Sequence, residues 1–184
     1  MLGWKWKATN QVSLILMCGL SFSGKSTFAV LLADELRADL ISLDAINAER
    51  GLYGGQGIPV EEWARTNETA QTRAAEALRA GRDVVIDDTG SPRFIRDGWR
   101  AVAAATQAAF SIVWVQIDPA RQRKRLLANR ADGKRHDVVD DVLDSHVANF
   151  EAPLTEDPFV VDADDTARPQ IAVTIANSIR ERAQ

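Results

Sequence analysis

Apolar positions along the chain follow two rhythms. Val12 to Cys18 is a nearly unbroken apolar run and reads as a buried strand. From Lys25 to Arg37 the apolar residues Phe28, Leu31, Leu32 and Leu36 recur at helical spacing, which predicts a helix. Asp39 to Leu43 is a second short strand, ending at Asp44. Residues 51–59 (GLYGGQGIP) hold four glycines and a proline, a loop signature. Val60 to Ala80 predicts a long helix closed by Gly81. Asp83 to Ile86 is a third strand. Ser91-Pro92 then offers a cap and a first-turn proline for a helix to about Gln107. Ala109 to Ile117 is a fourth strand, and a helix starts near Pro119. A further helix covers Val138 to Phe150, a fifth strand Phe159 to Val161, and a last helix Pro169 to Arg182.

Strands alternating with helices predict an α/β fold: a five-stranded parallel sheet with helices on both faces. No repeat and no break in composition divides the 184 residues, so one domain is expected over 1–184. With 46% hydrophobic residues the chain can bury an ordinary core. Its single cysteine, Cys18, excludes an intrachain disulfide and reads as a small core residue. The run from Val12 to Leu20 is far below the ~20 residues of a membrane span, so a soluble, cytoplasmic protein with no membrane partner is expected. Trp4 and Trp6 alternate with Lys5 and Lys7 ahead of the first strand, as in an edge segment.

The net charge of −4 argues against bulk attraction to nucleic acid. Charge is unevenly placed. Residues 121–135 carry seven basic side chains and one acid, whereas 137–165 carry ten acids and no Lys or Arg. Such a run is ordinarily a solvated helix facing an acidic neighbour; the competing reading is an anion-binding lid, over about 121–137.

Residues 19–26 read Gly19-Leu20-Ser21-Phe22-Ser23-Gly24-Lys25-Ser26, the spelling G-x-x-x-x-G-K-[ST] between a strand and a helix. The two glycines let the loop turn its N–H groups inward around phosphate oxygens, and the following helix, which also carries Thr27, adds its positive end. Lys25 suits the outer phosphates and the Ser26 hydroxyl a Mg²⁺ ion. ATP or GTP is the implied nucleotide, and the guanine-reading Asn-Lys-x-Asp is absent. Asp44 (in ISLDAIN) and Asp87 and Asp88 (in VVIDDTG) fall at predicted strand ends, where a parallel sheet places its binding crevice. Each suits either a metal or a hydroxyl proton, or else an ordinary turn or cap.

The stretch LILMCGLSFSGKSTFAVLLADEL resembles the opening of the small P-loop kinases, a group that includes polynucleotide kinase, chloramphenicol phosphotransferase and the zeta toxins. The resemblance continues through ISLDAIN, VVIDDTGSPRFIRDGWR, the lid-like LLANRADGKRHDV and FEAP, and so covers most of the chain. It implies a P-loop fold of the nucleoside-monophosphate-kinase type with a lid. It also implies transfer of a γ-phosphoryl group from nucleotide to an alcohol. In these terms residues 19–27 hold the nucleotide and Ser26 the metal; of the two strand-end acids, Asp87 is the candidate for the metal, with Asp88 the alternative. Asp44 is the base, and Arg130 and Arg135 close from the lid. Asp88 and Thr89 line the acceptor side. The polynucleotide kinases carry an arginine three residues after the base, where this chain has Asn47, with Arg50 beyond it. That departure and the acidity favour a small hydroxylated acceptor over nucleic acid. Asn47, Arg50 and Trp63 are then candidate acceptor contacts. Several antibiotic-modifying kinases resemble this group, which makes an antibiotic one candidate acceptor. A tRNA or 5′-hydroxyl polynucleotide kinase is the alternative, and a nucleotide-hydrolysing switch the third reading. Oligomeric state is not legible.

Overall fold

The computed structural model describes residues 11–53, 57–133 and 137–184. Trp4, Trp6 and Arg135 lie outside them. In chain order the elements are β1 (Ser13–Cys18), α1 (Lys25–Leu36), β2 (Asp39–Ser42), α2 (Leu43–Glu49), α3 (Val60–Arg79) and β3 (Val84–Asp87). They continue as α4 (Arg93–Ala105), β4 (Ala109–Gln116), α5 (Pro119–Asp132), α6 (Asp140–Ala148), β5 (Phe159–Asp162) and α7 (Pro169–Arg182). The strands form one parallel sheet in the order β2-β3-β1-β4-β5.

Side chains alternate across a strand, so the apolar run of β1 feeds two cores. Ile15 and Met17 point to one face, with Phe28 and Leu32 of α1 and Ala172, Ala176 and Ile179 of α7. Leu14 and Leu16 point to the other, against Ala70, Ala74 and Leu78 of α3 and Trp99 of α4. A parallel strand covered on both faces needs apolar residues at every position, which is why the run reads as continuous. A third, small cluster joins Phe22 to Leu126 of α5 and Leu143 of α6.

One boundary differs from the sequence expectation. The second strand stops at Ser42, and a helix, α2, follows at once. The Ser42 hydroxyl accepts the Ala45 N–H at 3.4 Å as its N-cap. Leu43, Ile46 and Asn47 are its buried stripe. The expected lid, 121–137, is for the most part the continuous helix α5, capped by Asp118 with Pro119 in its first turn. Its arginines meet the acidic run: Arg121 pairs with Asp162 and Asp164, and Arg123 and Arg130 with Asp140. Among the described residues, then, Arg121, Arg123 and Arg130 of this run face acids. No helix among them is long and apolar enough to cross a membrane.

Candidate active site

The loop from β1 to α1 carries the phosphate-binding spelling. Gly24 caps α1 with φ 99°, in the left-handed region, and a Cβ there would collide with the Thr166 side chain. Gly19, at φ 147°, passes so close to β4 that a Cβ would lie 2.6 Å from the Val115 carbonyl oxygen. The Gly19 N–H donates to Thr89 O at 3.0 Å, which ties the loop to the turn after β3. From behind, α5 holds the loop's carbonyls. Gln122 Nε2 donates to Ser21 O at 3.0 Å, and Arg125 Nη1 to Phe22 O at 3.1 Å and Ser23 O at 2.9 Å. Arg125 Nη2 reaches Ala163 O at 2.7 Å. Occupying the carbonyls in this way leaves the loop's opposite side to its N–H groups.

A cleft of about 760 Å³ opens at the carboxyl ends of β1, β2 and β3. Gly19, Leu20, Ser21, Phe22, Lys25 and Ser26 line its floor. Asp44 and Asn47 of α2, Trp63 of α3, and Asp87, Asp88 and Thr89 line its walls. Ser23, Gly24 and Thr27 of the predicted nucleotide set do not line it; they shape the loop and start α1. Lys25 Nζ donates to Leu20 O at 3.1 Å, folded back over the loop.

The acids differ in setting. Asp44 is exposed and lies in the first turn of α2, not at a strand end; the helix dipole favours a negative charge there. Asp87 ends β3. Asp88 accepts the Thr89 N–H at 2.6 Å, and burial pushes its carboxyl pKa above the ordinary range, against the pull of that hydrogen bond and of Lys25. Cys18, beside the loop, is fully buried, and burial pushes its thiol up to about 12; it is inert core.

A hard cation fits the oxygens that face this cleft. The Ser26 hydroxyl and the Asp87 and Asp88 carboxyl groups are the donor class Mg²⁺ selects. Among the described residues no cluster of three or more His, Cys, Asp or Glu forms a closed protein cage. Such an ion keeps waters and phosphate oxygens in the remaining positions.

Two predicted arginines stand elsewhere. Arg50 turns to α3, where it forms an ion pair with Glu62 and donates to Glu62 O at 2.8 Å and to Thr66 Oγ1. It does not line the cleft, because Glu62 and Thr66 satisfy its guanidinium first. Arg130 donates to Asp137 at 2.8 Å and to Val138 O at 2.8 Å, and likewise lies off the cleft wall.

Sequence reasoning missed the face that α6 contributes. Val142, His146 and Asn149 line the cleft, with Tyr53, Asn67 and Phe150 from other elements. Partial burial, with the charge of Lys25, pushes the His146 pKa down, so a neutral imidazole faces the phosphate end. The spacing of Val138, Val142, His146 and Asn149 is a helical stripe that carried this signal.

Comparison with known proteins agrees with this geometry. A putative kinase from Chloroflexus aurantiacus superposes with a TM-score of 0.73 at 20% identity, over 95% of this chain and 100% of that one. A gluconokinase from Sinorhizobium meliloti 1021 gives 0.63 at 19%, over 94% and 95%. The Mycobacterium tuberculosis APS kinase CysC, in complex with AMPPNP and APS, gives 0.61 at 20%, over 90% and 98%. At these identities the likeness is one of fold, and the fold is that of the small P-loop kinases. No curated protein sequence matches. The model of a family described as "AAA domain" matches residues 14–153, which span the phosphate loop, all three acids and α6. The chain belongs to that AAA domain family.

Proposed function

We propose that the protein is a kinase that transfers the γ-phosphoryl group of ATP to a hydroxyl of a small molecule. One observation carries the reading: Lys25 and Ser26 share a single cleft with Asp44 and Asp88 at the ends of three adjacent strands. The floor suits a triphosphate, and the walls leave room beside it for an acceptor. Fold neighbours that include a gluconokinase and an APS kinase support the same class.

Residues 19–26 bind the phosphates, with Lys25 countering charge that spreads over the transferred group. Ser26 and Asp87 would hold Mg²⁺, which when bound neutralises phosphate charge. Asp44 orients the acceptor hydroxyl and takes its proton as the new O–P bond forms and the bond to the nucleotide's β-phosphate oxygen breaks. Asp88 and Thr89 form the acceptor-side wall. Arg130 would need to leave Asp137 and Asp140 to reach the nucleotide. An antibiotic alcohol is one acceptor that fits this class.

The test is Asp44→Asn, which keeps the shape and removes the charge. Single-turnover transfer to an acceptor is expected to fall ~10²–10⁴-fold with nucleotide Kd nearly unchanged. Transfer at the wild-type rate would remove Asp44 from the role of base.

A further inference from the structure

Helix α4 buries Arg96, Trp99 and Ala103 on one stripe. Spacings of three and four residues make a core face, yet the first member of this one is an arginine. Arg96 is 1% exposed. A charge taken from water is costly unless it is paired and hydrogen-bonded, so the contacts of Arg96 define what the position does.

The guanidinium spends its donors on two backbone carbonyls and one carboxylate. Nη1 donates to Gly90 O at 2.7 Å and to Glu151 O at 2.8 Å. Nε and Nη2 donate to Glu156 Oε1 at 2.9 and 2.7 Å. Arg100 Nη2 donates to the other oxygen of Glu156 at 2.8 Å. Burial pushes the Glu156 pKa up, but hydrogen bonds and charge from Arg96 and Arg100 outweigh it and hold the carboxyl below its ordinary range. Two further bonds stitch the same pieces of chain together. The Glu151 N–H donates to Ser91 Oγ at 3.0 Å, and the Arg93 N–H to Glu151 Oε2 at 2.6 Å.

Both pieces carry walls of the cleft. Thr89, Ser91 and Pro92 flank Gly90 and line it; Asn149 and Phe150 precede Glu151 and line it too. The phosphate loop is held differently, by Gln122 and Arg125 of α5. The cleft therefore rests on two frames, one built from α5 and one from α4. They meet where the Gly19 N–H donates to Thr89 O.

We propose that Arg96 is a positioning residue for the acceptor: it ties the turn after β3 to the segment after α6 and so fixes the walls of the acceptor half in one arrangement. Apolar residues of the same volume often serve a fold as well as a buried ion pair does. What an arginine adds here is a planar fork that spans two carbonyls. Fixed walls matter to transfer, because misplacing a reactant by ~1 Å can cost ~100-fold in rate. Arg96 does not line the cleft and acts through the carbonyls it holds. The word acceptor rests on the kinase reading; the frame itself does not.

Two variants test this. Arg96→Lys keeps a charge beside Glu156 but lacks the fork. The pair Arg96→Met with Glu156→Gln removes the buried charges and leaves the same two carbonyls without their donor. Amide exchange is followed by NMR on the full chain without nucleotide, and AMPPNP affinity with Mg²⁺ by calorimetry. In both variants exchange at Thr89, Arg93 and Glu151 is expected to quicken at least ~10-fold. The Ser23 amide, held inside the phosphate loop by Leu20 O at 3.2 Å, should not change, and nucleotide Kd should hold. A role in stability alone predicts another pattern, in which core amides such as that of Leu16 quicken and the three wall amides do not. That pattern, wild-type exchange at the wall amides, or a ~10-fold rise in nucleotide Kd would overturn the inference. Failure of the wild type to bind AMPPNP would instead overturn the kinase reading, while the exchange results, taken without nucleotide, still decide the frame.

Discussion

At the scale of single residues, the cleft is governed by which charges find partners. Arg50 stood as a candidate acceptor contact, but Glu62 and Thr66 lie within its reach, and a guanidinium takes the nearest fixed acceptors. Asp88 is the opposite case, a carboxyl whose burial outweighs the Thr89 N–H and Lys25. Its folded pKa lies above its unfolded one. The folded protein therefore keeps the proton over a pH window in which the unfolded chain gives it up, and stability falls as pH rises through that window. Asp88→Asn supplies the neutral form permanently and can still accept the Thr89 N–H. The variant without nucleotide is expected to have a Tm a few degrees above wild type at neutral pH. The gain should vanish near about pH 3, where both states of Asp88 are protonated. Thermal melts of the two proteins across pH check this; a Tm gain that stays constant down to acid pH would contradict it.

At the scale of elements, the phosphate loop is a shape imposed by neighbours as much as by its glycines. Helix α5 grips it through Gln122 and Arg125, and Phe22 is packed among Leu126 and Leu143. Arg125→Leu removes the donors of three carbonyls, on Phe22, Ser23 and Ala163. The expected cost is about 1–3 kcal/mol of stability, the penalty for unsatisfied backbone acceptors. A roughly 10-fold rise in nucleotide Kd should accompany it, since 1.4 kcal/mol of lost loop order is a factor of ten. Denaturant unfolding measures the first and calorimetric titration with AMPPNP the second, each against wild type, and an unchanged Kd would show that the loop holds its shape alone. The sequence marked α5 as a basic helix, but it could not say that its third arginine faces the loop rather than solvent. That depends on how α5 crosses the end of the sheet.

At the scale of the whole molecule, one cleft joins elements far apart in the chain, so ligand binding and global stability are linked. Nucleotide with Mg²⁺ at ~100 times its Kd should add ~2.7 kcal/mol, a Tm rise of roughly 5–10 °C for a domain of this size. Lys25→Ala is expected to keep the fold and lose most of that rise; a full rise in the variant would displace the phosphates from this loop. The sheet was legible in the sequence because strands buried on both faces admit only apolar runs, as in Val12–Cys18 and Ala109–Ile117. The phosphate loop was legible because glycine, lysine and serine at that spacing answer to local geometry. Helix α2 was missed because its seven residues follow β2 without a break, and its cap, Ser42, also reads as the last residue of a strand. The settings of Asp88, Arg96 and His146 were not legible. Burial, the carbonyls that Arg96 meets and the charge of Lys25 are relations between elements that only the packed fold brings about. Residue types and local spacing determined the fold and the phosphate end. Tertiary contacts alone decided which polar groups are spent within the fold, since a donor is spent or spare only by virtue of its neighbours.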